Sequence, residues 1–153
     1  MLLSKSCVYG LRAAIYLATK ENGEFVPIKK MSAKLEISHH FLTKILQQLT
    51  ADDLLISYKG PNGGVKLKNS PDKTTLMDIV LAIDGPDLLT ECALGLPGCG
   101  HQNPCPLHDK WASTRDAIRQ MLESSSLKHL VERGKKENLR LTNEGGFEKL
   151  LDV

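Results

Sequence analysis

No run of apolar residues is long enough to cross a bilayer, which takes about 20, so a spanning helix is excluded. Lys5, Ser6, Tyr9 and Arg12 interrupt any apolar segment near the N-terminus, where no secretory signal is expected. A cytoplasmic protein without a membrane partner is the expectation. Internal repeats and low-complexity tracts are missing too. Short Cys-x-x-Cys pairs, the usual zinc signature, do not occur. Nor does any nucleophile–base or acid–base spacing that would support an enzyme.

The chain's 153 residues suffice for one domain with a real core, or a small domain with an appendage. Its near-neutral charge is unevenly placed. Up to Ser70, ten Lys and Arg face five Asp and Glu, an excess of +5. From Pro71 to Lys110, two bases face six acids, giving −4. A basic first half suits a polyanion, although an ordinary solvated surface would look the same.

The spacing predicts a first helix over Ser4–Lys20, with Val8, Leu11, Ile15 and Ala18 as its apolar stripe. Glu21-Asn22-Gly23 should end it. A second helix over Ile28–Leu35 would bury Ile28, Met31 and Leu35. After Glu36-Ile37-Ser38, Ser38 can cap a third helix that buries Phe41, Leu42, Ile45, Leu46 and Leu49. Two short helices joined by so tight a turn form a helix-turn-helix. Leu54–Tyr58, the turn Gly60-Pro61-Asn62-Gly63-Gly64 and Val65–Lys68 then read as a basic hairpin. Together these elements make a winged helix.

Asn69–Asp72 reads as a linker. Thr75 and Asp78 resemble a capping box opening a helix with Leu76, Ile79, Val80 and Ile83, stopped at Gly85-Pro86. A long helix over Pro106–Glu123 carries Trp111, Ile118, Met121 and Leu122. Since one winged helix cannot cover both this helix and the first, the simplest partner is a second copy. Ser124–Ser126 breaks the pattern, Leu127–Val131 begins a short element, and Asn143–Val153 reads as a frayed tail.

Exposed positions on the third helix are His39, His40, Thr43, Lys44, Gln47 and Gln48. Donors near its N-terminal end suit base edges, and Lys44 suits phosphate. The His pair and Gln47 could equally be solvated. Lys59, Lys66 and Lys68 flank the glycine turn, whose backbone can approach a phosphate closely. Such a hairpin can also be purely structural.

Between the connecting helix and the long helix lie Cys92, Cys99, Cys105 and His108. Three thiols and an imidazole in a Pro- and Gly-rich loop suit a soft metal or redox chemistry. An iron–sulfur cluster ranks first, then a metal-free thiol switch, then zinc and inert thiols. Cys105 and His108 are three apart at a helix start, so both can face one side. Pro106 suits the first helical turn, and the helix dipole would favour thiolate at Cys105. His101 and Asp109 are spare donors, and Cys7 reads as a small buried hydrophobe. Trp111 is expected at a dimer interface or beside the cluster.

Tyr9-Gly10-Leu11-Arg12-Ala13, Ile37-Ser38-x-x-Phe41-Leu42-x-Lys44-Ile45-Leu46, Lys59–Gly64 and the three-cysteine loop resemble the Rrf family of bacterial winged-helix regulators. The resemblance spans about Leu3 to Leu122. It implies a mainly α fold with a small β-wing, and a homodimer paired through a long dimerisation helix. It also implies double-stranded DNA with a pseudo-palindromic operator as partner. Ser38, His39, His40, Thr43 and Lys44 would face the major groove. The wing with Lys59, Gly60, Asn62, Gly63 and Gly64 would enter the minor groove, and Tyr9 and Arg12 would lie near the backbone. Cluster-binding members hold an iron–sulfur cluster on three cysteines. Some add a histidine three residues on, the spacing of Cys105 and His108. Others use an acid on the partner's first helix, where this chain has Val8, which cannot ligate, beside Cys7. The Cys92–Cys99 gap is one residue longer than in the first group. A 2Fe–2S cluster is favoured over 4Fe–4S. Other members are metal-free and bind a metabolic enzyme or other protein partner.

The expected organisation is therefore a winged helix-turn-helix over 1–72, a connecting helix over 73–91 and a cysteine-rich sensor loop over 92–108. A dimerisation helix and following element over 109–142 and a flexible tail over 143–153 complete it. Occupancy of the loop would shift operator affinity by about 1–3 kcal/mol, the usual range of allosteric coupling.

Overall fold

The computed structural model describes residues 2–20 and 23–151. Helix α1 (Lys5–Leu17) is capped by Ser4, whose hydroxyl accepts from the Cys7 N–H. It is shorter than the periodicity predicts, and of the residues expected to end it only Gly23 is described. Its buried face is also different: Cys7, Gly10, Ala13, Ala14, Tyr16 and Leu17, with Val8, Leu11 and Ile15 only half-buried. Large apolar side chains drew the expectation, but small ones let the helix sink into the core. A Cβ on Gly10 would collide with Ile83 and crowd Ile45. The first helix is thus covered within its own chain.

Helices α2 (Ile28–Leu35) and α3 (His39–Ala51) form the helix-turn-helix. Glu36 ends α2 in the left-handed region with φ 58°, and Ser38 caps α3 by accepting from the Phe41 N–H. Such a cap contributes about 1 kcal/mol. Leu42, Ile45, Leu46 and Leu49 are buried as expected. Strands β1 (Leu55–Tyr58) and β2 (Gly64–Leu67) pair antiparallel, with Leu55 opposite Leu67 and Tyr58 opposite Gly64. On its other side β2 bridges to Val26 through Val26 N–H to Val65 O (2.8 Å) and Val65 N–H to Val26 O (3.0 Å). A Cβ on Gly64 would strike the Val26 carbonyl, so the fold itself demands glycine there. The architecture is a winged helix.

Pro71–Lys73 makes one 3-10 turn, and helix α4 (Leu76–Ile83) opens with both bonds of the Thr75–Asp78 capping box. From Gly85 the chain leaves on an excursion of short helix α5 (Asp87–Thr90), the cysteine loop and long helix α6 (His108–Ser124). It returns beside its departure point, where Leu76 N–H meets Ser125 O (3.0 Å) and Leu127 N–H meets Thr74 O (2.9 Å). Four-residue α5 carries too short a pattern to be foreseen. Helix α6 starts after Pro106 rather than at it, and buries only His108 and Leu122. Met121, expected on the apolar face, is exposed.

Helix α7 (Leu127–Glu137) is longer than expected, because Ser126 caps it and Leu127, Val131 and Gly134 give it a buried face. It packs on α1, joining the winged-helix core and not the unit of α6. The segment from 143 does not fray up to residue 151, the last described: Phe147 and Leu150 are buried in that same core. Gly134 makes room for the Phe147 ring, with which a Cβ would collide. A second, smaller core joins Cys7 of α1, Met77 and Val80 of α4, Leu89 of α5 and Leu122 of α6.

Candidate nucleic-acid interface and cysteine loop

The N-terminal end of α3 presents His39, His40 and Lys44 to solvent, with Ser38 exposed at the cap. Thr43 is half-buried and its hydroxyl donates to His39 O (2.7 Å). Gln48 is exposed as expected, and its amide donates to Ala82 O (3.1 Å) and Ile83 O (3.4 Å), tying α3 to the end of α4. Gln47, in contrast, lines a groove of about 490 Å³ between α3 and the wing, together with His39, Thr43, Tyr58, Lys59 and Gly60. Lys29 of α2 lines it too, a cation missed because the helical pattern marks it only as outward.

The wing's three lysines differ. Lys66 lies over the Phe25 ring at 4.8 Å, and Lys68 pairs with Asp53 at 3.3 Å, both at the hairpin base. Lys59 stands exposed at the tip with Gly60, Pro61 and Asn62. Gly63 and Gly64 are half-buried, and a Cβ on Gly63 would strike the Tyr58 carbonyl. Packing therefore accounts for both glycines. On α1, the half-buried Tyr9 ring meets Phe41 edge-on at 5.5 Å, with Lys5 (5.7 Å) and Arg12 (5.6 Å) over it.

In the loop the four expected donors form two pairs. Cys92 Sγ lies 3.6 Å from Cys105 Sγ, and Cys99 Sγ lies 3.8 Å from His108 Nδ1. Spacing suggested Cys105 with His108; instead Cys105 precedes the helix and turns to Cys92, while His108 turns to Cys99. Backbone N–H groups of Leu96 and then Leu94 point at the Cys92 sulfur and hold its thiol below the ordinary value. His108 is buried, 4% exposed, and its Nε2 has no hydrogen-bond partner among the described residues. His101 meets the His108 ring edge-on at 5.0 Å. Asp109 is exposed.

Three α6 side chains at four-residue spacing clamp the start of the loop. Trp111 Nε1 donates to Glu91 O (2.9 Å), and Arg119 donates to Leu89 O (3.1 Å). Arg115 reaches Cys99 Sγ (3.5 Å). The sequence reading points to Trp111 alone, although the repeat at 111, 115 and 119 is legible in the chain. Cys7 is fully buried outside the loop, its thiol pushed up to about 12 by burial and then by Asp84. It packs in the junction core as a small hydrophobe.

A family profile described as "Rrf2: Iron-dependent Transcriptional regulator" matches residues 3–133. The chain belongs to the Rrf2 family of transcriptional regulators. It is 28% identical over 131 residues to the regulator IscR of Photorhabdus laumondii, covering 86% of this chain and 79% of that one. Identity to CymR of Bacillus subtilis is also 28% over 131 residues, covering 86% and 90%. The solved structure of B. subtilis CymR superposes with a TM-score of 0.74 at 26% identity, over 86% of this chain and 96% of that one. These relatives are regulators, not enzymes. Among the described residues of this Rrf2 member, no helix is long and apolar enough to cross a membrane. None of those residues forms a group of three donors suited to one metal ion.

The donor set nevertheless fits an iron–sulfur cluster. Two thiolates on one tetrahedral metal, each bond about 2.3 Å, sit a little under 4 Å apart, as Cys92 and Cys105 do. The unpartnered Nε2 of buried His108 marks a polar atom the fold itself leaves unsatisfied.

Proposed function

We propose that this Rrf2 regulator is a homodimer that reads double-stranded DNA through α3 and the wing, and whose operator affinity is set at Cys92, Cys99, Cys105 and His108 by an iron–sulfur cluster. The observation carrying this reading is the arrangement of the four donors as two pairs, with His108 buried and half-satisfied.

His39, His40 and Lys44 are available to major-groove edges and phosphates, with Ser38 and Thr43 beside them. Lys59, Gly60 and Asn62 at the wing tip suit the minor groove, Gly63 and Gly64 shape the turn, and Arg12 suits the backbone. A cluster, when bound, supplies a centre sensitive to oxidation, nitric oxide or iron supply. Cys92, Cys99, Cys105 and His108 would hold it, and Arg115 would place a positive charge beside the Cys99 sulfur. Helix α6 bears exposed Met121 and half-buried Trp111 and Ile118, a face suited to a second copy.

The loop reaches the reading head through α4. Asp84 accepts from the Ser4 N–H (2.9 Å) and from the Ser4 hydroxyl, at the start of α1. Gln48 holds the same helix end from α3. A shift of α5 when the loop fills would move this junction and bias the reading head, the differential contact that coupling requires.

Anaerobic purification followed by iron, sulfide and zinc analysis with an absorption spectrum tests the proposal. Coloured protein is expected, with colour lost in Cys92→Ala and in Cys105→Ala. Colour and iron retained in both variants would sink the cluster reading. A metal-free regulator is the second reading, favoured by the 3.6 Å approach of Cys92 and Cys105, close enough for thiol oxidation to join them, and by similarity to CymR. Protein free of iron and sulfide, with DNA binding changed only by thiol oxidation or by a protein partner, would establish it.

A further inference from the structure

Residues beyond 133 lie outside the family match, yet they build a surface beside the reading head. Asn138 ends α7 in the left-handed region with φ 47°, and the chain doubles back. Burial of Phe147 and Leu150 anchors the return, Glu148 N–H meets Asn138 Oδ1 (3.2 Å), and Lys34 of α2 donates to Lys149 O (3.0 Å). This places Arg140 and Asn143 beside Arg12, where they share a cleft of about 210 Å³ with Leu141 and Thr142.

Among the described residues, no carboxylate lines the cleft. Arg140 donates to Asn143 O (3.1 Å) and Arg12 lies over Tyr9, but neither guanidinium is in an ion pair among the described residues. Two guanidiniums at one cleft with no counter-charge suit a doubly bonded anion. The surface is continuous with the reading head, since Tyr9 packs on Phe41 in the first turn of α3, next to His39 and His40.

Resting on the DNA-binding reading, we propose that Arg12 and Arg140 together grip one phosphate of the DNA backbone flanking the segment that α3 reads, so that the C-terminal segment forms part of the DNA interface. The contact carries no sequence information; it positions the head.

Salt titration of the full chain on a labelled mixed-sequence duplex tests this without knowledge of the operator. Affinity is measured between about 50 and about 200 mM chloride, where each neutralised phosphate contributes about 0.9 to the slope of log K against log salt. Arg140→Ala is expected to weaken binding about tenfold at fixed salt, because one charged hydrogen-bonding arm of the grip is lost while Arg12 still neutralises the phosphate. The double variant Arg12→Ala, Arg140→Ala removes the contact and should lower the slope by about 0.9 per protomer, one phosphate's worth. Arg133→Ala, an equal loss of charge from the exposed Arg133–Glu137 pair, should leave affinity and slope unchanged. Unchanged affinity in Arg140→Ala, an unchanged slope in the double variant, or an equal effect of Arg133→Ala would overturn the proposal. So would a slope loss of about 1.8 in the double variant, which would mean two phosphates held separately. Replacing chloride by inorganic phosphate at constant ionic strength separates a free-anion site: if Arg140→Ala alters only that response, the cleft does not hold DNA. A wild-type slope near zero would instead remove the DNA-binding reading beneath it.

Discussion

The reading head and the cysteine excursion are built on opposite principles. The head is periodic: α1, α2, α3, the wing, α7 and the returning C-terminal segment share one large core, each contributing residues at helical or strand spacing. The excursion, leaving at Gly85 and returning at Ser125, has almost no core of its own. Cys7, Met77, Val80, Leu89 and Leu122 tie its base down, while Leu94, Leu96 and Leu107 stay exposed. What shapes its outer part is polar: N–H groups on the Cys92 sulfur and α6 side chains on the carbonyls of Leu89 and Glu91. Stability and sensitivity are thereby placed in different regions of one chain. A loop with few buried contacts can rearrange when a ligand arrives without the head paying for it.

The contrast breaks first under large-to-small substitution. Leu42 is fully buried in α3, so Leu42→Ala should cost about 2–5 kcal/mol. Cys99, half-exposed in the loop, should cost less than about 0.5 kcal/mol as Cys99→Ala in metal-free protein. Urea unfolding of the two variants measures both. A loss of several kcal/mol from Cys99→Ala would mean the excursion is integral to the folded core.

Legibility follows the same division. Helix-turn-helix, wing and capping box could be read because Ser38, Thr75 and Gly60–Gly64 are local signals whose chemistry acts within a few residues. Small residues hid the true face of α1, since Gly10, Ala13 and Ala14 matter for the space they leave. The C-terminal segment reads as a frayed tail because Phe147 and Leu150 are isolated among charges, and only the tertiary fold shows what they meet. In the loop the donor types were legible and their pairing was not. Sequence distance favoured Cys105 with His108, but irregular backbone obeys no period, and the turns at Gly95 (φ 74°) and Gly98 (φ 71°) carry Cys99 to His108 instead.

A smaller effect sharpens the boundary between the regions. Cys7 sits in the junction core with its thiol raised from 9.0 to about 12. In the unfolded chain the thiol ionises near its ordinary value, so between those two values the folded state binds the extra proton. Stability should therefore fall as pH rises above 9, by about 1.4 kcal/mol per pH unit from this group. Cys7→Ala removes that contribution. The stability difference between Cys7→Ala and wild type should hence be flat below pH 8.5 or so and shift in favour of the variant above it. A difference independent of pH through about pH 10 would show that Cys7 is not held neutral in the junction.

The smallest expected effect lies within the wing and separates fold from function there. Lys68 is paired with Asp53 at the hairpin base, and both side chains are largely solvated, at 45% and 82% exposure. Such a pair contributes about 0–1 kcal/mol, so Lys68→Ala should scarcely change unfolding. It should also leave the salt slope of DNA binding intact, because Asp53 already neutralises that charge. Lys59, exposed at the tip and in no ion pair among the described residues, has no fold role to lose. Lys59→Ala should leave unfolding unchanged and lower the slope by about 0.9 per protomer if its ammonium meets a phosphate. Equal slopes in the two variants would show that the hairpin serves the fold alone, and that α3 carries the DNA contact without the wing.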